Sequence, residues 1–144
     1  MRIVLDSGIL IRANDSKTGL GRDLLLTLLR AKHTLLVSNA ILFEVAKVLR
    51  YPRLQKKGAL TENDIYQYIA FLREVGEVVP LDPTIPVPIR DANDIVVAQT
   101  AILGEAEFLC TIDDDFYEPV IMQFLQRFGI AVISDEDLIH RIRS

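Results

Sequence analysis

The sequence contains one cysteine, Cys110, two histidines and no tryptophan. A lone cysteine excludes an intrachain disulfide framework, and one thiol with two imidazoles leaves a zinc site almost without ligands. Cys110 sits inside the apolar run FLCTI and reads as a small buried hydrophobe. Any bound metal is therefore expected to be a hard cation held by oxygen. No apolar run approaches the roughly 20 residues that cross a bilayer. The chain begins directly on a strand-like segment, without the charged and apolar blocks of a secretory leader, so a cytoplasmic protein is expected. Excess positive charge is missing as well: 16 Lys and Arg against 20 Asp and Glu give a net charge of −4. That excludes a protein held on nucleic acid by bulk electrostatics alone.

What is present is ordinary globular composition, 50% hydrophobic and 25% charged over 144 residues, which predicts one domain spanning 1–144 with a real core. The stretch MRIVLDSGILI organises the rest. Ile3, Val4 and Leu5 form the continuous aliphatic run of a strand covered on both faces, and Asp6 follows at its carboxyl end. In open α/β sheets that rim is where ligands bind.

Along the chain, Ser7 starts a short helix through Ile11, the polar stretch from Asn14 to Gly21 reads as a loop, and leucines 24, 25, 28 and 29 mark a helix from Arg22 to about Lys32. Thr34 to Val37 is a strand, and Ser38 caps a helix from Asn39 to Arg50 that Pro52 cannot extend. Thr61 and Asp64 form a capping box for a helix from about Glu62 to Val75, closed by Gly76. Glu77 to Leu81 reads as a strand, and Pro80 to Pro88 as an extended connection. Asp91 or Asn93 caps a helix running to Leu103 with Gly104 at its C-terminus, and Phe108 to Ile112 is a strand ending in Asp113, Asp114 and Asp115. Pro119 to Phe128 forms a helix closed by Gly129, Ile130 to Ile133 a strand, and Ser134 with Asp137 caps a last helix. This alternation predicts an α/β fold with a mostly parallel sheet flanked by helices.

Four acids, Asp6, Glu44, Asp94 and Asp113, are expected to converge. Each has a plainer role when taken alone: Asp6 as a helix cap, Glu44 as a surface partner of Lys47, and Asp94 as a charge favoured by its helix dipole. Asp91 is more simply a cap. The Asp113 to Asp115 triplet differs, because adjacent like charges after a buried strand repel unless cations or hydrogen bonds offset the repulsion. Asp113 is closest to the strand end, Asp115 points to the same side, and Asp114 faces solvent. Together these acids are the inventory for one or two Mg²⁺ or Mn²⁺ ions, and two such ions about 3.5–4 Å apart suit in-line attack of water on a phosphodiester. Lys47, Arg50, Arg53, Lys56 and Lys57 fall in one window without an acid, which reads either as a solvated face and loop or as a phosphate-steering patch beside Glu44.

Four segments, VLDSGILI, VSNAILFEVAKVLRYPRL, RDANDIVVAQTA and FLCTIDDDF, occur in the order and at the spacing of the PIN-domain ribonucleases, the fold of VapC-type toxins in toxin–antitoxin pairs. The chain resembles that family over nearly its whole length. The resemblance implies a three-layer α/β/α domain, metal-dependent RNA cleavage, frequent homodimerisation and inhibition by a small antitoxin protein. It assigns metal ligation and catalysis to Asp6, Glu44, Asp94 and Asp113, with Asp115 as a further metal-site acid and Ser7 and Thr111 orienting ligands or water. Lys47, Arg50 and Arg53 are expected to meet the RNA. Gly8 stands where the family commonly has Asn, which removes a side-chain donor from the acidic cluster and implies weaker support for the metal. Two other readings compete: a PIN-like module that binds RNA or protein without cutting, and a Mg²⁺-dependent receiver domain. The second is disfavoured because a single acid follows the first strand and no lysine follows a later strand end.

Overall fold

A computed structural model of the chain describes residues 1–15, 19–51 and 60–144. The strands are β1 (Arg2–Leu5), β2 (Thr34–Val37), β3 (Glu77–Val78), β4 (Phe108–Cys110) and β5 (Ala131–Ile133). The helices are α1 (Ser7–Asp15), α2 (Leu20–Arg30), α3 (Asn39–Leu49), α4 (Glu62–Val75), α5 (Ala92–Leu103), α6 (Pro119–Gln126) and α7 (Asp135–Arg143), with a 3-10 turn at Asp114–Tyr117. The five strands form one sheet in the order β3-β2-β1-β4-β5, and every pairing is parallel. Helices cover both faces, giving three α/β/α layers.

Burial on both faces explains the strand sequences. Ile3, Val4, Leu5, Leu35, Leu36, Val37, Leu109 and Cys110 are fully buried, so every position along β1 and β2 beyond the first is apolar instead of alternating. Helix α5 lies against β1, β2 and β4, while α1, α2 and α7 pack on one another. The strand order reverses between β1 and β4: β2 and β3 extend to one side, β4 and β5 to the other. A crevice opens outside the carboxyl ends at such a switch point. The two strands stay joined there, since the Asp6 amide donates to the Cys110 carbonyl at 2.9 Å.

Several element boundaries differ from expectation. The stretch from Asn14 to Gly21 is not all loop: α1 continues to Asp15 and α2 begins at Leu20. The cause is distant in sequence, because the Arg22 guanidinium donates to the Ala13 and Asn14 carbonyls and satisfies the open end of α1. β3 has two residues instead of extending to Leu81; the Val79 amide makes one further bond to the Val37 carbonyl, and Pro80 then has no N–H to offer. β4 ends at Cys110, short of Ile112; the Thr111 amide still bonds the Ile133 carbonyl, but the Thr111 carbonyl is taken by the Tyr117 hydroxyl instead of a strand partner. Helix α6 stops at Gln126; the Phe128 and Gly129 amides tighten onto Leu125 and Gln126, and Gly129 takes a φ of 76°.

Candidate functional site

Asp6 emerges where β1 ends and α1 begins, and its own carbonyl accepts from the Ile9 and Leu10 amides. Its carboxylate does not cap that helix. One oxygen accepts the Thr111 hydroxyl at 2.7 Å and the other the Ser7 hydroxyl at 3.3 Å. Thr111 in turn accepts the Asp113 amide on the same hydroxyl oxygen at 3.0 Å. A single buried hydroxyl therefore links the end of β1 to the turn after β4. Tyr117 braces this turn by donating to the Thr111 carbonyl at 2.7 Å, and burial pushes its phenol up to about 12.

Asp94 arrives from another direction, on the first turn of α5. Asp91 is the N-cap, accepting the Asn93 and Asp94 amides, which leaves Asp94 free of capping. Among the described residues the Asp94 carboxylate has no hydrogen-bond partner, and the residue is only 8% exposed. Burial first, then the charges of Asp113, Asp91, Asp6 and Asp115, raises its pKa from 3.8 to about 7. This is the strongest electrostatic signal in the cleft.

Helix α3 contributes Glu44, half-buried at the border of its apolar face and without an ion-pair partner among the described residues, so the alternative of a pair with Lys47 is not realised. Ser38 fixes that helix: its buried hydroxyl accepts the Ile41 amide at the cap and the Thr100 hydroxyl from α5 at 2.8 Å. The start of the helix carrying Glu44 is thus tied to the last turn of the helix carrying Asp94.

These side chains meet in one cleft of about 610 Å³ lined by Asp6, Ser7, Glu44, Asp91, Asp94, Asp113 and Asp115. Within it, one carboxylate oxygen each from Asp94, Asp113 and Asp115 lie within 4.8 Å of one another. Asp6 and Glu44 line the same space outside that tight trio. Asp115, expected as an auxiliary acid, is the exposed member of the trio, placed when its amide bonds the Asp113 carboxylate at 3.0 Å. Asp114 is exposed, as expected from its position in the triplet. Oxygen-only donors of this kind suit Mg²⁺ or Mn²⁺ and not zinc. Cys110 is buried beneath, and burial holds its thiol above the ordinary range, so it offers no soft ligand. An ideal Cβ at Gly8 meets nothing within 4 Å, so the cleft keeps open space where a longer side chain would fit.

The basic residues are distributed differently from the acids. Lys47 is exposed on α3 and outside the cleft lining, and Arg50 is engaged by Glu62 at 2.8 Å. Arg53, Lys56 and Lys57 lie outside the described residues. Sequence reasoning missed Arg12, which lines the cleft. The available signal was helical spacing: Arg12 is four residues beyond Gly8, on the face of α1 that Gly8 turns to the acids.

An all-parallel three-layer α/β/α sheet with a carboxylate cluster at its switch point defines an open α/β protein with an acidic site at the strand carboxyl ends. The family model described as PIN domain matches residues 2–115, and the chain belongs to that family, whose members are generally nucleases. Among solved structures it is similar to the crystal structure of VapBC2 from Rickettsia felis bound to a DNA fragment from their promoter. The TM-score is 0.60 and the identity 16%, over 93% of this chain and 98% of the other, which establishes a shared fold. No curated protein matches the sequence. Among the described residues no helix is long and apolar enough to cross a membrane.

Proposed function

We propose that this chain, as a single PIN domain, is a divalent-metal-dependent endoribonuclease and the toxin of a type II toxin–antitoxin pair in the cytoplasm. The observation that carries the reading is the trio of Asp94, Asp113 and Asp115 oxygens within 4.8 Å, with Asp94 buried and without a hydrogen-bond partner among the described residues. Asp94, Asp113 and Asp115 would hold Mg²⁺ or Mn²⁺, with Asp6 and Glu44 completing the site across the cleft. When bound, such an ion supplies positive charge at the scissile phosphate and lowers the pKa of water. The chain's own residues do the rest. Thr111 and Ser7 fix the Asp6 carboxylate, Asp91 secures the start of α5, and the cleft admits a phosphodiester to the carboxylates. Products would carry 5′-phosphate and 3′-hydroxyl ends.

A small antitoxin protein and a second copy of the chain are the expected partners. Support for the former is the similarity to VapBC2, and exposed Phe43 and Tyr66, at 73% and 72%, offer apolar surface for either.

The test is cleavage of single-stranded RNA by purified protein with Mn²⁺. Asp6→Asn and Asp94→Asn are expected to fold normally and cleave nothing, and a chelator to stop the wild type. Undiminished, chelator-insensitive cleavage by either variant would contradict the mechanism. The open space beside Gly8 favours one other reading, a domain that binds RNA or protein without cutting; Mn²⁺ uptake by calorimetry with no turnover on any RNA would support it.

A further inference from the structure

An acidic cleft repels the polyanion it is proposed to cut, so cations that do not neutralise the carboxylates have to sit beside them. Among the described residues lining the cleft, Arg12 is the one cation. Its guanidinium stands 3.6 Å from the buried Asp135 at the start of α7, and its Nε makes only a 3.4 Å contact to the Gly8 carbonyl. Charge-assisted bonds run at about 2.7–2.9 Å, so Asp135 orients Arg12 without saturating it. The side chain remains 45% exposed.

A second groove of about 460 Å³ continues from the cleft, sharing Asp91 and Asp115 with it, and Arg90 lines this groove. Arg90 is exposed and has neither an ion-pair nor a hydrogen-bond partner among the described residues. The contrast with other arginines is informative: Arg2, Arg50 and Arg143 are each engaged by a carboxylate, and Arg22 by backbone carbonyls. The guanidiniums left with spare donors include the two that line these connected cavities. An arginine keeps its charge at any physiological pH and presents a planar fork that matches phosphate oxygens.

We propose that Arg12 and Arg90 are the phosphate-binding residues for the substrate strand, one in the acidic cleft and one in the adjoining groove, so that the backbone crosses the Asp91–Asp115 boundary. The assignment rests on the ribonuclease reading above and names different contacts from the Lys47 to Arg53 segment.

The experiment is steady-state cleavage of a single-stranded RNA oligonucleotide with Mn²⁺ over a salt series, using wild type, Arg12→Ala, Arg12→Lys and Arg90→Ala. Arg30→Ala, exposed at the end of α2 just before the amino end of β2 and outside both cavities, is the control. Each alanine variant at 12 or 90 is expected to raise KM about tenfold with kcat much less affected. Each should also flatten the dependence of log KM on log salt by about 0.7 per lost contact. Arg12→Lys should restore the salt slope and only part of the KM; Arg90→Ala should melt like wild type, whereas Arg12→Ala strips the buried Asp135 of its ion pair and should melt lower, so its kinetics are read well below its melting point. KM and salt slope unchanged in both alanine variants, or changed equally in Arg30→Ala, would overturn the proposal. If the wild type cleaves nothing, the ribonuclease reading fails; anisotropy of the same RNA with the same variants and salt series then decides the phosphate grip on its own, a flattened slope supporting it and an unchanged slope overturning it.

Discussion

Asp94 concentrates the energetics of the site in one residue. Its carboxyl is raised from 3.8 to about 7, chiefly by burial and then by its acidic neighbours. The native state therefore holds this proton more tightly than the unfolded chain does. Its stabilising effect is full below pH 3.8 and is lost as pH rises toward about 7. In chelator, wild type should lose on the order of 2 kcal/mol over that window relative to Asp94→Asn, after allowance for solvent screening in an open cleft. Paired urea titrations across the pH range measure this, and parallel curves for the two proteins would refute it. A bound cation acts in the opposite sense. Binding must displace the Asp94 proton, so Mn²⁺ affinity should strengthen from pH 6 to pH 8 and calorimetry should detect proton release.

At the scale of elements, the join between β1 and β4 is made by Thr111 as much as by the ladder. Its hydroxyl both donates to Asp6 and accepts from the Asp113 amide. Thr111→Val keeps the shape and removes both bonds, leaving a half-buried carboxylate oxygen and an amide without their partner. Mn²⁺ affinity should fall about 10–100-fold, as when ligand-orienting groups are removed from other metal sites. Isothermal titration measures the loss; an unchanged affinity would mean the turn orients itself. Local signals of this kind were readable in advance. The Thr61–Asp64 box placed α4 at Glu62–Val75, and Ser38 marked the start of α3, because a cap is decided within four residues. What could not be read depends on distant partners. Arg22 extends α1 from nine residues away, and Arg12 looks like any solvated helix residue until Asp135 and the acids surround it. Asp115 as a member of the trio required the 3-10 turn after Asp113, which the triplet alone does not specify.

For the whole molecule, the parallel sheet and its switch point explain why acids scattered along the sequence share a cleft. The same arrangement stores repulsion among carboxylates that a cation would relieve. Saturating Mn²⁺ should therefore stabilise the entire fold by mass action, about 2.7 kcal/mol at one hundred times its Kd. Thermal unfolding with and without the ion measures this, with Asp94→Asn as the comparison; equal shifts in both proteins would point to binding elsewhere.

The cleft draws on residues from Asp6 to Asp115, so it cannot exist on a ribosome that has made only the first half of the chain. β4 and the turn after it supply Asp113 and Asp115, and they follow the elements that carry Asp6, Glu44 and Asp94. On the proposed reading, a growing chain gains its acidic trio only once the turn after β4 has emerged and folded against α5.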